Sequence, residues 1–172
     1  MNDVLPDVLD HGLILLFCGT AASDASARVG AYYANPTNAF WPTLHVTGMT
    51  PRRLNPQDFR ELLDLKIGLT DLVKCSSGSD SSLRRRDFLR ERLLSSIRRY
   101  RPQIVAFTSK AAWRGWNGWS SPDVVSYGWQ AETLGETAFY VLPSPSGAAR
   151  GYWDLQPWRE LADEYFRRLQ AI

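Results

Sequence analysis

The sequence predicts an α/β fold with a mostly parallel central sheet and helices on both faces. Short continuous apolar runs, too short for helices, recur at residues 12–18, 67–73, 103–109 and 137–142. Segments with apolar residues at helical spacing separate them, and such strand–helix alternation builds parallel sheets with three layers. In these sheets ligands bind beyond the C-terminal strand ends. Three loops of unusual composition fall there: after Cys18, around Asp71 and after Leu142.

Taken in order, GLILLFC at 12–18 is a buried strand. Residues 38–46 begin with Asn38 at an N-cap position and carry Phe40, Trp41 and Leu44 at helical spacing. Asn55 followed by Pro56 starts another helix, with Phe59, Leu62 and Leu63 on its inner face. Residues 67–73 form a second apolar stretch, interrupted by Asp71, and KCSSGSDSS at 74–82 reads as a flexible loop. Residues 83–100 predict a helix, with Leu89, Leu93, Ile97 and Tyr100 on one face and arginines elsewhere. Pro102 separates it from a strand at 103–109, which a short helix at 110–116 follows. The Trp- and Gly-rich stretch at 116–130 has no clean period and is expected to form a hairpin or loop. A strand at 137–142 runs into PSPSGAARG, and an amphipathic helix at 154–169 closes the chain. There is no internal repeat.

A chain of 172 residues is expected to form one domain, residues 1–172. No apolar run approaches the roughly 20 residues of a membrane span. The N-terminal MNDVLPDVLDHG lacks the basic region of a secretion signal. Cys18 and Cys75 are isolated, which argues against a disulfide framework and against a four-cysteine cluster or zinc site. A reducing cytoplasmic compartment fits. The net charge of +2 does not by itself imply nucleic acid. The basic residues are nearly all arginine, however, with lysine only at 66, 74 and 110. Arginine suits bidentate phosphate contacts, although a GC-rich genome gives the same bias.

Four segments carry a family resemblance: LLFCG, NPTNAFWPTLHVTGMTPRRLNP, LLDLKIGLTDLV and VLPSPSG. In order and spacing the chain resembles the uracil-DNA glycosylase superfamily, nearest to its mismatch-specific uracil/thymine branch. The block YYANPTNAFW is also similar to the hypoxanthine-DNA glycosylase branch. The mismatch-specific branch has Gly-Ile-Asn-Pro-Gly after the first strand, where the Asn positions the hydrolytic water. Here that stretch is Gly19-Thr20-Ala21-Ala22-Ser23, so the catalytic Asn falls on Ala21. The second motif, Asn-Pro-Ser-Gly in that branch, is Ser144-Pro145-Ser146-Gly147 here.

The resemblance implies a base-flipping enzyme of DNA repair, which must sandwich the base, read its edge and hold a water beneath C1′. Small residues at Gly19, Thr20, Ala21 and Ser23 would let backbone N–H groups approach the flipped base. Tyr33 matches the stacking aromatic, while Tyr32 walls the pocket or fills the core. Asn38 matches the water-positioning Asn of the hypoxanthine branch, although a helix-capping Asn has the same sequence appearance. Asp24 and then Asn35 are the further candidates, Asp24 also suiting a turn cap. Asp71, at the family's base-edge strand end, would accept the uracil N3–H or serve as a catalyst. A purely structural Asp71 would need loop hydrogen bonds. Ser144, Ser146, Gly147, Ala148 and Arg150 would meet DNA, with Ala148 at the apolar wedge position and Arg150 beside it. Arg84, Arg85 and Arg86 read as a solvated helix start or as a DNA-backbone contact, and His45 as a core or surface residue.

The function implied is that of a monofunctional uracil-DNA glycosylase of base excision repair. It would be monomeric, would need no cofactor or metal, and would act on uracil-containing DNA in the cytoplasm, by function at the nucleoid, releasing free uracil. The alternative is a non-catalytic module binding abasic sites or damaged bases, which the loss of the motif Asn favours. A nucleotide-binding protein is disfavoured by the lack of a G-x-G-x-x-G or P-loop sequence.

Overall fold

The computed structural model describes residues 2–119 and 124–172; residues 120–123, in the Trp- and Gly-rich stretch, lie outside them. Strands β1 (Leu15–Gly19), β2 (Ile67–Asp71), β3 (Ile104–Phe107), β4 (Gly128–Leu134) and β5 (Thr137–Val141) form one sheet in the order β2-β1-β3-β5-β4. β1 pairs in parallel with β2 and β3, and β3 in parallel with β5. Only β4 runs antiparallel among the described strands, hydrogen-bonded to β5 at the sheet edge. This is the mostly parallel α/β sheet that the strand–helix alternation predicts.

Alternating side chains of the central strands enter two cores, as a period of two requires. Leu15 and Phe17 of β1, with Ile104 and Ala106 of β3, pack against α2 (Phe40–Val46) and α5 (Gln156–Gln170) through Phe40, Trp41, Trp158, Leu161 and Tyr165. Leu16 and Cys18, with Val105 and Phe107, face α3 (Arg90–Tyr100) and α4 (Lys110–Trp116) through Leu93, Ile97, Trp113 and Trp116. Both faces are covered, which is why β1, β2 and β3 read as continuous apolar runs.

Several elements differ from the sequence expectation. The helix expected from Asn38 starts at Phe40, because Ala39 N–H donates to the Pro145 carbonyl at 2.8 Å and holds the entry segment to the loop after β5. Residues Pro56–Leu65 wind as a 3₁₀ helix. Its three-residue period puts Phe59, Leu62 and Leu65 on one stripe against the core. The helix expected over 83–100 is α-helical only from Arg90. Before it, Asp87 accepts the Arg84 N–H at 2.8 Å in a 3₁₀ turn, and Leu89 N–H bonds the Leu72 carbonyl, which fixes the chain to the end of β2. β4 begins at the end of the Trp- and Gly-rich stretch expected to form a hairpin or loop. It forms a hairpin with β5 through Gly135, whose φ of 58° is left-handed. The loop expected to be flexible at 74–82 is pinned. Lys74 is buried, and Gly78 N–H donates to the Ala22 carbonyl at 3.0 Å. Among the described residues no helix is long and apolar enough to cross a membrane.

Candidate active site

The C-terminal ends of β1, β2 and β3 open into a cleft of about 700 Å³. The loop after β5 and the segment between α1 (Asp24–Val29) and α2 complete its walls. The cleft lining gathers Gly19, Thr20, Ala21, Ser23, Asp24, Tyr33, Asn35, Asn38, Asp71, Ser144, Ser146 and Ala148. Gly147 and Arg150 do not line it.

The floor is built over Gly19. A Cβ at Gly19 would stand 2.6 Å from Asp71 Oδ1, 3.3 Å from the Tyr33 hydroxyl and 3.5 Å from Thr108 Oγ1. Only glycine leaves that space for three polar groups to converge. Asp71 arrives because β2 pairs in register with β1, opposite Gly19. Thr108 arrives one residue beyond β3, its N–H bonded to the Cys18 carbonyl at 3.0 Å. Tyr33 reaches in from a left-handed residue, φ 53°, where a non-glycine residue is uncommon. Its ring stacks on Phe40 with centroids 3.9 Å apart, and its hydroxyl meets Thr108 Oγ1 at 3.2 Å.

Burial shapes the chemistry of this floor. Asp71 is 7% exposed, and desolvation pushes its pKa from 3.8 up to about 7. The Lys74 charge and the Gly19 backbone hold it down, while Asp7 pushes it further up. Burial, with the Asp71 charge behind it, also raises the Tyr33 phenol, which therefore stays neutral. Behind the floor, Lys74 Nζ lies 2.8 Å from Asp7 Oδ1 and donates to the Tyr32 hydroxyl at 3.3 Å. Thr70 donates to the same Asp7 oxygen, and Arg92 bridges Asp7 and Asp3. Tyr32 in turn donates to the Pro6 carbonyl at 3.0 Å. Tyr32 is thus a buried structural tyrosine that also touches the cleft, and Tyr33 is the one with its hydroxyl on the floor.

The rim candidates all have partners. Asn38 Oδ1 accepts the Phe40 N–H at 2.9 Å from the residue before the Ala39 N-cap, so it holds the turn into α2 while lining the cleft. Its oxygen keeps a second lone pair for a water. Asp24 opens α1, is exposed, and accepts from Ser77 Oγ at 2.8 Å. Asn35 Oδ1 accepts from the Thr37 N–H and hydroxyl, which holds the Asn-rich turn. Ser23 caps α1 at the Ser26 N–H, and Thr20 donates to Asp80 at 2.6 Å. Ala21 lines the cleft without a polar group. In the loop after β5, a Cβ at Gly147 would run into Thr37, so the glycine is needed for packing between the two loops. Ala148 and Arg150 are exposed, and Tyr152 is 80% exposed.

Thr108, Ser109, Asp80 and the Asp7–Lys74 pair were not legible as site residues. Thr108 and Ser109 read as the tail of a strand, and Ser109 does cap α4 at the Ala112 N–H. One signal was available: two hydroxyl residues end an apolar strand at the sheet edge where ligands bind. Arg84, Arg85 and Arg86 are exposed beside a 3₁₀ turn, and His45 is exposed on α2. Among the described residues no three His, Cys, Asp or Glu side chains gather as a metal would require.

The fold is similar to that in the solution NMR structure of a protein from Methanosarcina acetivorans provisionally named as a uracil DNA glycosylase. The TM-score is 0.66 at 23% identity, over 94% of this chain and 96% of that one. The model of the uracil DNA glycosylase superfamily matches residues 6–169, which run from before β1 into α5 and include every cleft-lining residue but Leu5. The chain belongs to the uracil DNA glycosylase superfamily.

Proposed function

We propose that this chain hydrolyses the N-glycosidic bond of uracil in DNA, as a monofunctional glycosylase nearest in kind to the mismatch-specific branch. One observation carries the reading. A buried carboxylate and two hydroxyls converge over Gly19 at the end of a deep cleft, where a flipped base would present its edge. Asp71 accepts the ring N–H of uracil, and Tyr33 stacks on the base from the side opposite Phe40. Backbone N–H groups at Thr20, Ala21 and Ser23 face the negative charge that develops on the leaving base. Asn38 takes the water-positioning role that Ala21 cannot fill, and Asp24 stands on the same rim. Ser144, Ser146, Gly147, Ala148 and Arg150 form the DNA-facing loop. No lysine lines the cleft among the described residues, and Lys74, just past Asp71, is buried and paired to Asp7, which supports hydrolysis without a covalent lysine step. The protein acts as one domain and a monomer on DNA in the cytoplasm.

The test is single-turnover incubation with a uracil oligonucleotide, followed by alkali to cut abasic sites. Release of free uracil is expected, unchanged in excess chelator. Rescue of a chelated enzyme by a divalent ion would contradict it. Ala21 favours a second reading, a module that binds abasic sites without turnover; tight binding with no alkali-labile product would select it.

Tyr33→Ala should lower the excision rate by the value of a base stack, roughly 1–3 kcal/mol or about 5- to 150-fold. Tyr32→Ala should instead lower thermal stability, since Tyr32 is 1% exposed and holds Lys74 and Pro6. An unchanged rate for Tyr33→Ala, with loss for a folded Tyr32→Ala, would exchange their roles.

A further inference from the structure

Three hydroxyls around the cleft give their protons to partners inside the fold, and three more accept backbone N–H groups. Thr20 donates to Asp80, Ser23 to Ser26 and Tyr32 to the Pro6 carbonyl, and Ser109 caps α4. Ser144 and Ser146 accept from backbone N–H groups of their own loop. On the floor itself stand Tyr33 and Thr108, hydrogen-bonded to each other at 3.2 Å. Each hydroxyl owns one proton, and one of the two protons makes the bond between them. Whichever oxygen donates, the pair keeps one O–H to give, beside Asp71. Thr108 is 4% exposed and rigid, anchored through its N–H to β1. Tyr33 is clamped on Phe40. The floor therefore presents an acceptor and a donor side by side, held by three separate elements.

We infer that Thr108 is a specificity-determining residue whose hydroxyl, paired with that of Tyr33, donates to the exocyclic carbonyl of the flipped base while Asp71 accepts the adjacent ring N–H. This rests on the glycosylase reading of the cleft. A ring N–H next to a C=O is the lactam edge of deaminated bases. It is found in pyrimidines and purines alike, and a cleft of about 700 Å³ admits either. Cytosine and adenine carry the reverse order, a ring acceptor beside an exocyclic amine. They would place acceptor against acceptor at Asp71 and donor against donor at Thr108. With Asp71 ionised, a hydrogen-bonding floor of this polarity rejects such a base strongly, because its own buried groups are left unpaired. The carbonyl also gains negative charge as the glycosidic bond breaks, so the Thr108 contact strengthens in the transition state.

The test uses single-turnover release from oligonucleotides carrying uracil, 4-thiouracil, hypoxanthine, cytosine or adenine, with folding checked by thermal melt. Sulfur is a poor acceptor, so 4-thiouracil removes the contact from the substrate side. Comparing the uracil/4-thiouracil rate ratio between proteins cancels the intrinsic reactivity of the two bases. Thr108→Val should slow uracil and hypoxanthine release about 10- to 100-fold. It should also shift the uracil/4-thiouracil ratio by about 10-fold toward the thio base. Thr108→Ser, which keeps the hydroxyl, should restore both. If Thr108→Val fails to fold, Thr108→Ala removes the same hydroxyl and must shift the ratio in the same direction. A folded variant with uracil release intact and the ratio unchanged overturns the role of Thr108 and leaves the glycosylase reading standing. Wild-type release of cytosine or adenine as fast as uracil also overturns it. No base release from any substrate by the wild type sinks both readings together.

Discussion

Asn38→Ala is expected to lower the single-turnover rate of uracil release about 100-fold, with substrate binding little changed. Ala21 stands where the family's water-positioning Asn would be, and Asn38 lines the same cleft from the turn before α2. Its Oδ1 already accepts the Phe40 N–H at 2.9 Å, so the side chain is oriented before any substrate arrives. The same bond means that alanine also loosens the turn into α2, at about 1 kcal/mol of stability. The melt must therefore be followed beside the rate. Asn38→Asp separates the two effects, because a carboxylate keeps both the bond to the Phe40 N–H and an acceptor for water. It should retain the wild-type melt and most of the rate. A folded Asn38→Ala protein with the wild-type rate would pass the role to Asp24.

Asp71→Asn is expected to stabilise the protein above pH 7 while altering its base preference. In the folded chain burial pushes Asp71 up to about 7, against 3.8 when exposed. Below about pH 3.8 both folded and unfolded chains carry it protonated, and the buried group costs nothing extra. As pH rises between those values the unfolded chain releases the proton first, so this one contribution to stability falls and is gone above the folded pKa. Asparagine cannot titrate. The variant should match the wild type near pH 4 and exceed it at pH 8 by a few kcal/mol, roughly 5 to 10 °C in melting temperature. Uracil release by the wild type should rise with pH through about 7, as Asp71 gains the charge that accepts the ring N–H. That rise should vanish in Asp71→Asn, whose amide presents either a donor or an acceptor to the base. Equal melts at pH 8 would mean that the carboxylate is not held against its own desolvation. Loss of all cleavage with no change of preference would make Asp71 a catalyst rather than a reader. A buried charge kept at a cost to stability is what a functional residue looks like.

The loop chemistry around Asn38 shows where sequence and structure divide. An Asn before an aromatic helical pattern reads as the N-cap, but Ala39 holds that position and Asn38 bonds the first helical N–H from one residue earlier. That it also lines the cleft depends on Ala39 binding the Pro145 carbonyl, a contact between segments far apart in the chain. Gly147 shows the same limit. A glycine after Ser-Pro-Ser reads as space for phosphate, yet the space at its Cα is filled by Thr37. Lys74 begins a Ser-rich run and reads as a loop residue, but its ammonium is buried against Asp7 and Tyr32.

By itself the sequence determined the layers. Runs such as LLFC, IGLT and IVAF can satisfy their backbone only in a sheet covered on both faces, and the amphipathic segments between them can bury one side only on that sheet. It also determined that the loops after Cys18, around Asp71 and after Leu142 share one end of the sheet, because parallel strands place equivalent ends together. The tertiary structure alone decided which side chains meet there. The register of β2 on β1 sets Asp71 opposite Gly19, and the register of β3 on β1 brings Thr108 over the same glycine. A left-handed Tyr33 stacked on Phe40 supplies the third group. Local periodicity carries no information about such registers, since they follow from how the two cores pack against the sheet. The raised pKa of Asp71 arises in the same way, from burial that exists only once the strands are assembled.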